Sequence, residues 1–221
     1  MPDTLIYLLC GLLVSLPAGA RSGAEDPGQL ASAIQRHYDQ VRDFRADFTH
    51  SYTGGVLRKK TVESGHVAVR KPGRMRWTYT QPEEKVFVSD GAKLYSYIPD
   101  DKQVYVATVP PDDQATTPAL FLAGKGNLLR DFAAEAVTVP DAPAGSVALK
   151  LTPKRPEREY EWLDLVVDRA TFQLRMLVTS DQQGGVSAFS FTNLRENTGI
   201  ADKEFVFVMP RGVDVITDAG H

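Results

Sequence analysis

Residues 65–91 read GHVAVRKPGRMRWTYTQPEEKVFVSDG, and their patterning decides the fold class. Val67 and Val69 alternate with His66, Ala68 and Arg70; after Pro72-Gly73, Met75, Trp77 and Tyr79 alternate with Arg74, Arg76, Thr78 and Thr80. Successive side chains of a strand point to opposite faces, so period two on both sides of a turn is a β-hairpin with one apolar, aromatic face and one basic, polar face. Gln81-Pro82 interrupts the pairing, Val86 to Val88 resumes it, and Ser89-Asp90-Gly91 turns the chain again, because Asp and Gly tolerate left-handed backbone. The stretch is an antiparallel meander.

On its N-terminal side, Asp26-Pro27 offers a cap and a proline at the first helical position, where a missing N–H has no helical partner to lose. Leu30, Ile34, Tyr38 and Val41, with Ala33 and His37 beside them, recur at three- and four-residue spacing. That spacing predicts an amphipathic helix ending near Arg42, one face on the sheet. Phe44, Ala46 and Phe48 alternate with Arg45, Asp47 and Thr49 as the first strand, and Thr53-Gly54-Gly55 turns it toward the hairpin. On the C-terminal side, strands run from Leu94 to Ile98 and Val104 to Thr108 around Pro99-Asp100-Asp101. Then comes a polar, proline-rich loop, Val109 to Gln114, and Thr117-Pro118 opens a short apolar helix, Ala119 to Ala123. Gly124 and Gly126 close it, and Asn127 caps a second short helix through Phe132. Strands resume at Val147–Leu151, Trp162–Val167, Phe172–Val178 and Val186–Phe191, and the chain finishes with Phe205 and Phe207 before Pro210-Arg211-Gly212. A mainly β chain of about ten or eleven consecutive strands must curl, because strands twist. An incomplete, open antiparallel β-barrel is expected, lidded by the N-terminal helix and the helical insertion.

With 221 residues, 43% of them hydrophobic and 24% charged, the chain can bury the core of one domain. A formal net charge of −3 without long runs of one sign argues against nucleic acid as a partner. Residues 1–20, MPDTLIYLLCGLLVSLPAGA, combine an apolar core from Leu5 to Leu16, a break at Pro17 and small residues before Arg21. They read as a secretory signal, although Asp3 stands where a basic residue is usual, and leave 21–221 as a single exported domain. Cys10, the only cysteine, lies inside that signal, preceded by Tyr7-Leu8-Leu9 instead of the small residues a lipoprotein peptidase needs. Thiol catalysis, disulfides and cysteine zinc sites are therefore not expected in the exported domain.

Over essentially the whole exported chain the sequence resembles the periplasmic outer-membrane lipoprotein carriers, the LolA family. The resemblance rests on the order and spacing of several pieces: Phe44-x-Ala46-x-Phe48-Thr49, then Arg70-Lys71-Pro72-Gly73-Arg74-Met75-Arg76-Trp77-x-Tyr79, Gln81-Pro82-Glu83, and Val88-Ser89-Asp90-Gly91 with Leu94 and Tyr97. Thr117-Pro118, Leu151-Thr152-Pro153-Lys154 and Phe205-x-Phe207-x-x-Pro210-x-Gly212-Val213 continue it. It implies a monomeric periplasmic carrier whose apolar cavity takes the acyl chains of a lipoprotein released by an inner-membrane ABC transporter and passes them to an outer-membrane receptor. Two positions depart from the family pattern. Lys71 stands where an arginine latches the helical lid, and His50 where glutamine is common. Lysine is a point donor, not a planar fork, so a latch at Lys71 works differently.

Inward strand positions and the lid supply the candidate cavity residues: Val69, Met75, Trp77 and Tyr79 on the hairpin, Phe189 and Phe191 late in the sheet, and Leu30, Ile34, Leu120 and Phe121 on the helices. Each taken singly suits an ordinary core better, and only the set, with helices that must cover one sheet face, favours a cavity. Lys71, Arg74 and Arg76 read as a solvated strand face, with lipid headgroups or a partner as the alternative. An enzyme is not expected: His37, His50, His66 and His221 show no metal-binding spacing, and no G-x-S-x-G occurs. No metal or cofactor is called for. The alternative function within the same fold is an exported lipid or glycolipid binder, or an envelope lipid sensor.

Overall fold

The computed structural model describes residues 26–56, 58–109, 122–124 and 126–217. The expected signal, residues 1–20, and Leu120 and Phe121 of the insertion lie outside them. Helix α1 spans Pro27–Gln40, with Asp26 Oδ1 accepting from the Gly28 N–H at 2.8 Å. It buries Leu30 and Ile34 of the predicted stripe, together with Ala31 and Gln35, leaves Tyr38 half-buried, and ends where Val41 turns extended.

Among the described residues, twelve strands form one sheet: β1 (Asp43–Thr53), β2 (Lys60–Arg70), β3 (Arg74–Gln81), β4 (Lys85–Asp90), β5 (Lys93–Ile98), β6 (Gln103–Thr108), β7 (Phe132–Val137), β8 (Ser146–Pro153), β9 (Trp162–Asp168), β10 (Leu174–Ser180), β11 (Val186–Glu196) and β12 (Asp214–Thr217). Their order is β12-β6-β5-β4-β3-β2-β1-β11-β10-β9-β8-β7, so the edges β12 and β7 are not paired with each other and the barrel stays open. Neighbours are antiparallel except β12 and β6, which run parallel. The count exceeds the ten or eleven expected because two strands carry weak signals. β7, FAAEAV, is alanine-rich and reads as a continuation of the short helix α2 (Leu128–Asp131), which Asn127 caps as expected. Phe132 instead leaves the helix to pair with Pro153. β12 is four exposed residues without alternation. Phe205 closes a 3-10 turn, Asp202–Phe205, and Phe172 sits in a turn at φ 59 ahead of β10.

Register brings Phe44, Ala46 and Phe48 beside Val69, Val67 and Gly65, and these beside Met75, Trp77 and Tyr79. Gly65 has a physical reason: a Cβ there would stand 2.0 Å from the Thr78 carbonyl oxygen. Across the position without a side chain, the Phe48 and Tyr79 rings meet edge-on at 4.9 Å. This concave face continues through Leu177, Leu165 and Leu149 and packs beneath α1 as the main core.

The convex face is covered in two places. Val139 packs over Ala148, Val166, Met176 and Val178, and Ile200 and Phe205 cover Ala68. The second cover corrects the expectation of a solvated basic face. Arg70 donates to the Ile200 carbonyl at 2.8 Å and pairs with Asp202 at 2.8 Å, Arg74 lies 3.5 Å from Asp202, and Arg76 donates to the Glu204 carbonyl at 3.4 Å. These arginines strap the chain's C-terminal segment to the sheet.

Candidate functional site

On the concave face the aromatic side chains of β1, β3 and β11 form one assembly. The Trp77 ring lies 5.1 Å from Phe48, 5.4 Å from Phe189 and 6.2 Å from Phe191, and Tyr79 meets Phe87 at 5.7 Å. Edge-on aromatic pairs at such separations add about 0.5–1.5 kcal/mol beyond area burial. Eight of the ten candidate cavity residues meet in the cluster that this face makes with α1: Leu30, Ile34, Val69, Met75, Trp77, Tyr79, Phe191 and, half-buried against them, Phe189. Leu120 and Phe121 are outside the described residues, but their successors Leu122 and Ala123 join the same cluster. A crevice of about 30 Å³ runs between Ile34, Tyr38 and Val41 of the helical side and Phe44, Leu122, Leu165 and Leu174. Ligand pockets usually hold roughly 300–1,000 Å³, so this crevice, bounded by described residues, is smaller than a ligand site. A cleft of about 290 Å³ beside α2 and β8 is larger, yet Arg130, Asp131, Lys154, Arg155 and Glu157 line it, which does not suit an apolar ligand.

Three contacts tie helix, lid and hairpin together. The Gly73 N–H donates to the Ala123 carbonyl at 2.8 Å, the Tyr38 hydroxyl donates to the Leu122 carbonyl, and the Lys71 ammonium donates to the Tyr38 carbonyl. The ammonium also stands 3.0 Å from the Tyr38 ring centroid, a cation–π geometry. Lys71 thus reaches α1, while residues 122–124 are held by Tyr38 and Gly73. Gly124, at φ +86, leaves room for the Lys71 methylenes, which a Cβ would approach to 2.8 Å. Burial lowers the Lys71 pKa to about 8, against the pull of Asp39 and Glu196. Tyr38 as a whole is half-buried, while desolvation of its hydroxyl pushes its pKa up. The sequence placed Tyr38 only in the apolar stripe of α1; nothing in a helical period reveals a hydroxyl that reaches another element.

A polar row that the motifs did not reveal crosses the same face. Glu63 Oε1 accepts from Lys85 Nζ at 2.5 Å, His50 Nδ1 stands 3.3 Å from Glu63 Oε2, and His50 Nε2 lies 3.3 Å from Ser187 Oγ. The His50 ring stacks on Phe189 at 4.1 Å, and its pKa is lowered, by burial first and by Lys85 as well, with Glu63 opposing. Among the described residues, His50 Nδ1 and Trp77 Nε1 are buried without a hydrogen-bond partner. Strand parity could have found this row, since His50 keeps the inward parity of Phe48, Glu63 that of Gly65, and Lys85 that of Phe87.

With this geometry in place, comparisons with known proteins point one way. A family model described as the outer membrane lipoprotein carrier protein LolA matches residues 39–208. A Chromohalobacter salexigens protein described as an outer-membrane lipoprotein carrier protein is 32% identical over 215 residues, covering 96% of this chain and 97% of its own. One of the same description from Methylococcus capsulatus is 32% identical over 211 residues, 93% of this chain and 97% of its own. Among solved structures, an uncharacterized conserved protein from Thermus thermophilus superposes with a TM-score of 0.53 at 11% identity, over 87% of this chain and 100% of that one. That is a likeness of fold.

Proposed function

The chain belongs to the LolA family of outer membrane lipoprotein carrier proteins, and from that premise we propose that its concave face holds the acyl chains of a lipoprotein in transit. The observation that carries this reading is the row of large apolar side chains, Met75, Trp77, Tyr79, Phe189 and Phe191, which joins one apolar cluster with α1 and with Leu122 and Ala123. Each acyl methylene gains about 0.8 kcal/mol on leaving water, so a carrier needs an apolar surface that is covered when empty and available when loaded. Carriage without nucleotide hydrolysis also requires empty and loaded states of similar free energy. Polar fastenings of about 1 kcal/mol each fit that requirement better than a fully apolar seam would. On loading, α1 and residues 122–124 swing off the sheet and acyl chains replace Leu30, Ile34 and Leu122, with Leu120 and Phe121 kept as candidates for the same cavity. Lys71 biases the balance by holding α1 down in the empty state. The cargo comes from an inner-membrane ABC transporter and goes to an outer-membrane receptor. Residues 1–20 direct the chain to the periplasm, and residues 21–221 act there as one monomeric domain.

Native mass spectrometry of the protein recovered from its own periplasm without detergent tests this. Co-purified acylated protein is the expected result. Recovery of phospholipid or glycolipid alone, with lipoproteins absent even when the transporter is overexpressed, would replace the carrier by a lipid binder or sensor.

A further inference from the structure

An apolar surface for acyl chains has no evident use for buried charge, yet His50, Glu63 and Lys85 lie on it with side chains only 14%, 18% and 23% exposed. Desolvating such a pair costs several kcal/mol per ion, which mutual attraction offsets only when the geometry is good and the remaining lone pairs and protons find partners. Here the partners are incomplete. Lys85 and Glu63 are well placed at 2.5 Å, but His50 Nδ1 has no aligned partner, and neither has the Trp77 N–H, both beside Phe189. The row also has a definite place. It lies two residues along β1 from Phe48 and six from Phe44, so roughly 20 Å of strand separates it from the end of the sheet where Lys71 meets α1. The aromatic assembly fills the interval.

We propose that this row binds the polar junction of the cargo, the ester and amide groups through which the acyl chains join the first residue of the acylated protein; the proposal rests on the carrier reading. Lys85 and Trp77 donate to carbonyl oxygens, Glu63 accepts an amide N–H, and His50 Nδ1 takes either part by tautomer. The chains then run from the row along the aromatic residues toward Lys71. Neutral dipoles suit this site better than ions. An anionic headgroup would face Glu63, and a free α-ammonium would set a second cation against a carboxylate that Lys85 already neutralises. An N-acylated junction is therefore preferred over one with a free α-amine, and over an anionic phospholipid. A plain fatty acid brings a carboxylate that accepts from Lys85 but offers Glu63 no donor and repels it, so the site matches the ester and amide junction and not the acid.

The test uses the full chain and three probes: an N-acylated S-diacylglyceryl-cysteinyl peptide, the same peptide with a free α-amine, and a fluorescent fatty acid. Glu63→Gln and Lys85→Met should each weaken binding of the N-acylated peptide about tenfold, the worth of one hydrogen bond to a charged group. Binding of the fatty acid should change little, and Lys85→Arg should restore the peptide's affinity. Wild type should favour the N-acylated peptide over the free amine. Equal losses on peptide and fatty acid, or unfolding of Glu63→Gln, would make the row a structural ion pair and overturn the proposal. Unchanged peptide affinity in both variants would overturn it too. Failure of the wild-type chain to bind any probe would instead remove the carrier reading, and this proposal with it.

Discussion

Burial drives the Lys71 ammonium from its ordinary 10.5 to about 8, while Asp39 and Glu196 pull the other way. The consequence for stability has a definite sign. Between about pH 8 and 10.5 the folded side chain has lost its proton and the unfolded one has kept it, so the unfolded state binds more protons and stability rises with pH. Below that window both states are charged and the burial penalty is felt in full. Urea midpoints of wild type and Lys71→Met, measured from pH 7 to 10.5, should therefore diverge above pH 8 in favour of wild type; parallel curves would mean that the ammonium is solvated. Lys71 itself was visible in the sequence as a departure from the family's arginine, but its partner was not, because a helical period shows Tyr38 as a ring and not as a hydroxyl. The polar row differs, being legible by strand parity though not by metal-ligand spacing. His50 was judged by spacing along the chain, whereas Glu63 and Lys85 reach it across strands.

The elements around the hairpin were the most readable, and the reason is their signal strength. β3 alternates strictly, β2 sets Gly65, Val67 and Val69 on one parity, and α1 carries both a side-chain cap and a proline start. β7 and β12 were missed because an alanine-rich edge strand and a four-residue exposed one owe their conformation to pairing with β8 and β6, not to their own residues. Of the lid, only residues 122–124 are described, and their attachment is where α1 and the hairpin cooperate. Tyr38→Phe removes one donor and leaves the Leu122 carbonyl without it, a loss of about 1 kcal/mol. In a domain of this size that lowers Tm by about 2–4 °C. If the contact belongs to the empty, closed state alone, the same variant should bind a fatty-acyl probe up to about fivefold more tightly, because less of the closed state has to be undone. A lower Tm with unchanged affinity would place Tyr38 in the permanent structure.

For the molecule as a whole, the decisive feature is a sheet whose edges β12 and β7 are not paired with each other, and among the described residues its inner face packs with α1, Leu122, Ala123 and Leu128. The convex side is fastened elsewhere, by Arg70, Arg74 and Arg76 to the C-terminal segment and by Asp43 accepting from the Thr198 and Gly199 N–H groups. Sheet and strap are thus tied together, while α1 is held by the His37–Glu196 pair at 3.1 Å and by the Leu128 N–H donating to Gln35 Oε1 at 2.8 Å, and on the proposed reading these are contacts that loading breaks. The hinge is short. Val41 is already extended between Gln40, where the helix ends, and Asp43, where β1 begins. Spin labels at exposed Arg36 on α1 and exposed Thr49 on β1, in a Cys10→Ser background, should give one short, narrow distance in the empty protein. Adding the acylated peptide should lengthen and broaden it. A second pair, at exposed Thr49 and exposed Arg195, reports on the sheet alone and should not respond. If peptide binds while the first distance stays fixed, acyl chains do not enter beneath α1, and the crevice of about 30 Å³ is the edge of a permanent core instead of the seam of a closed door.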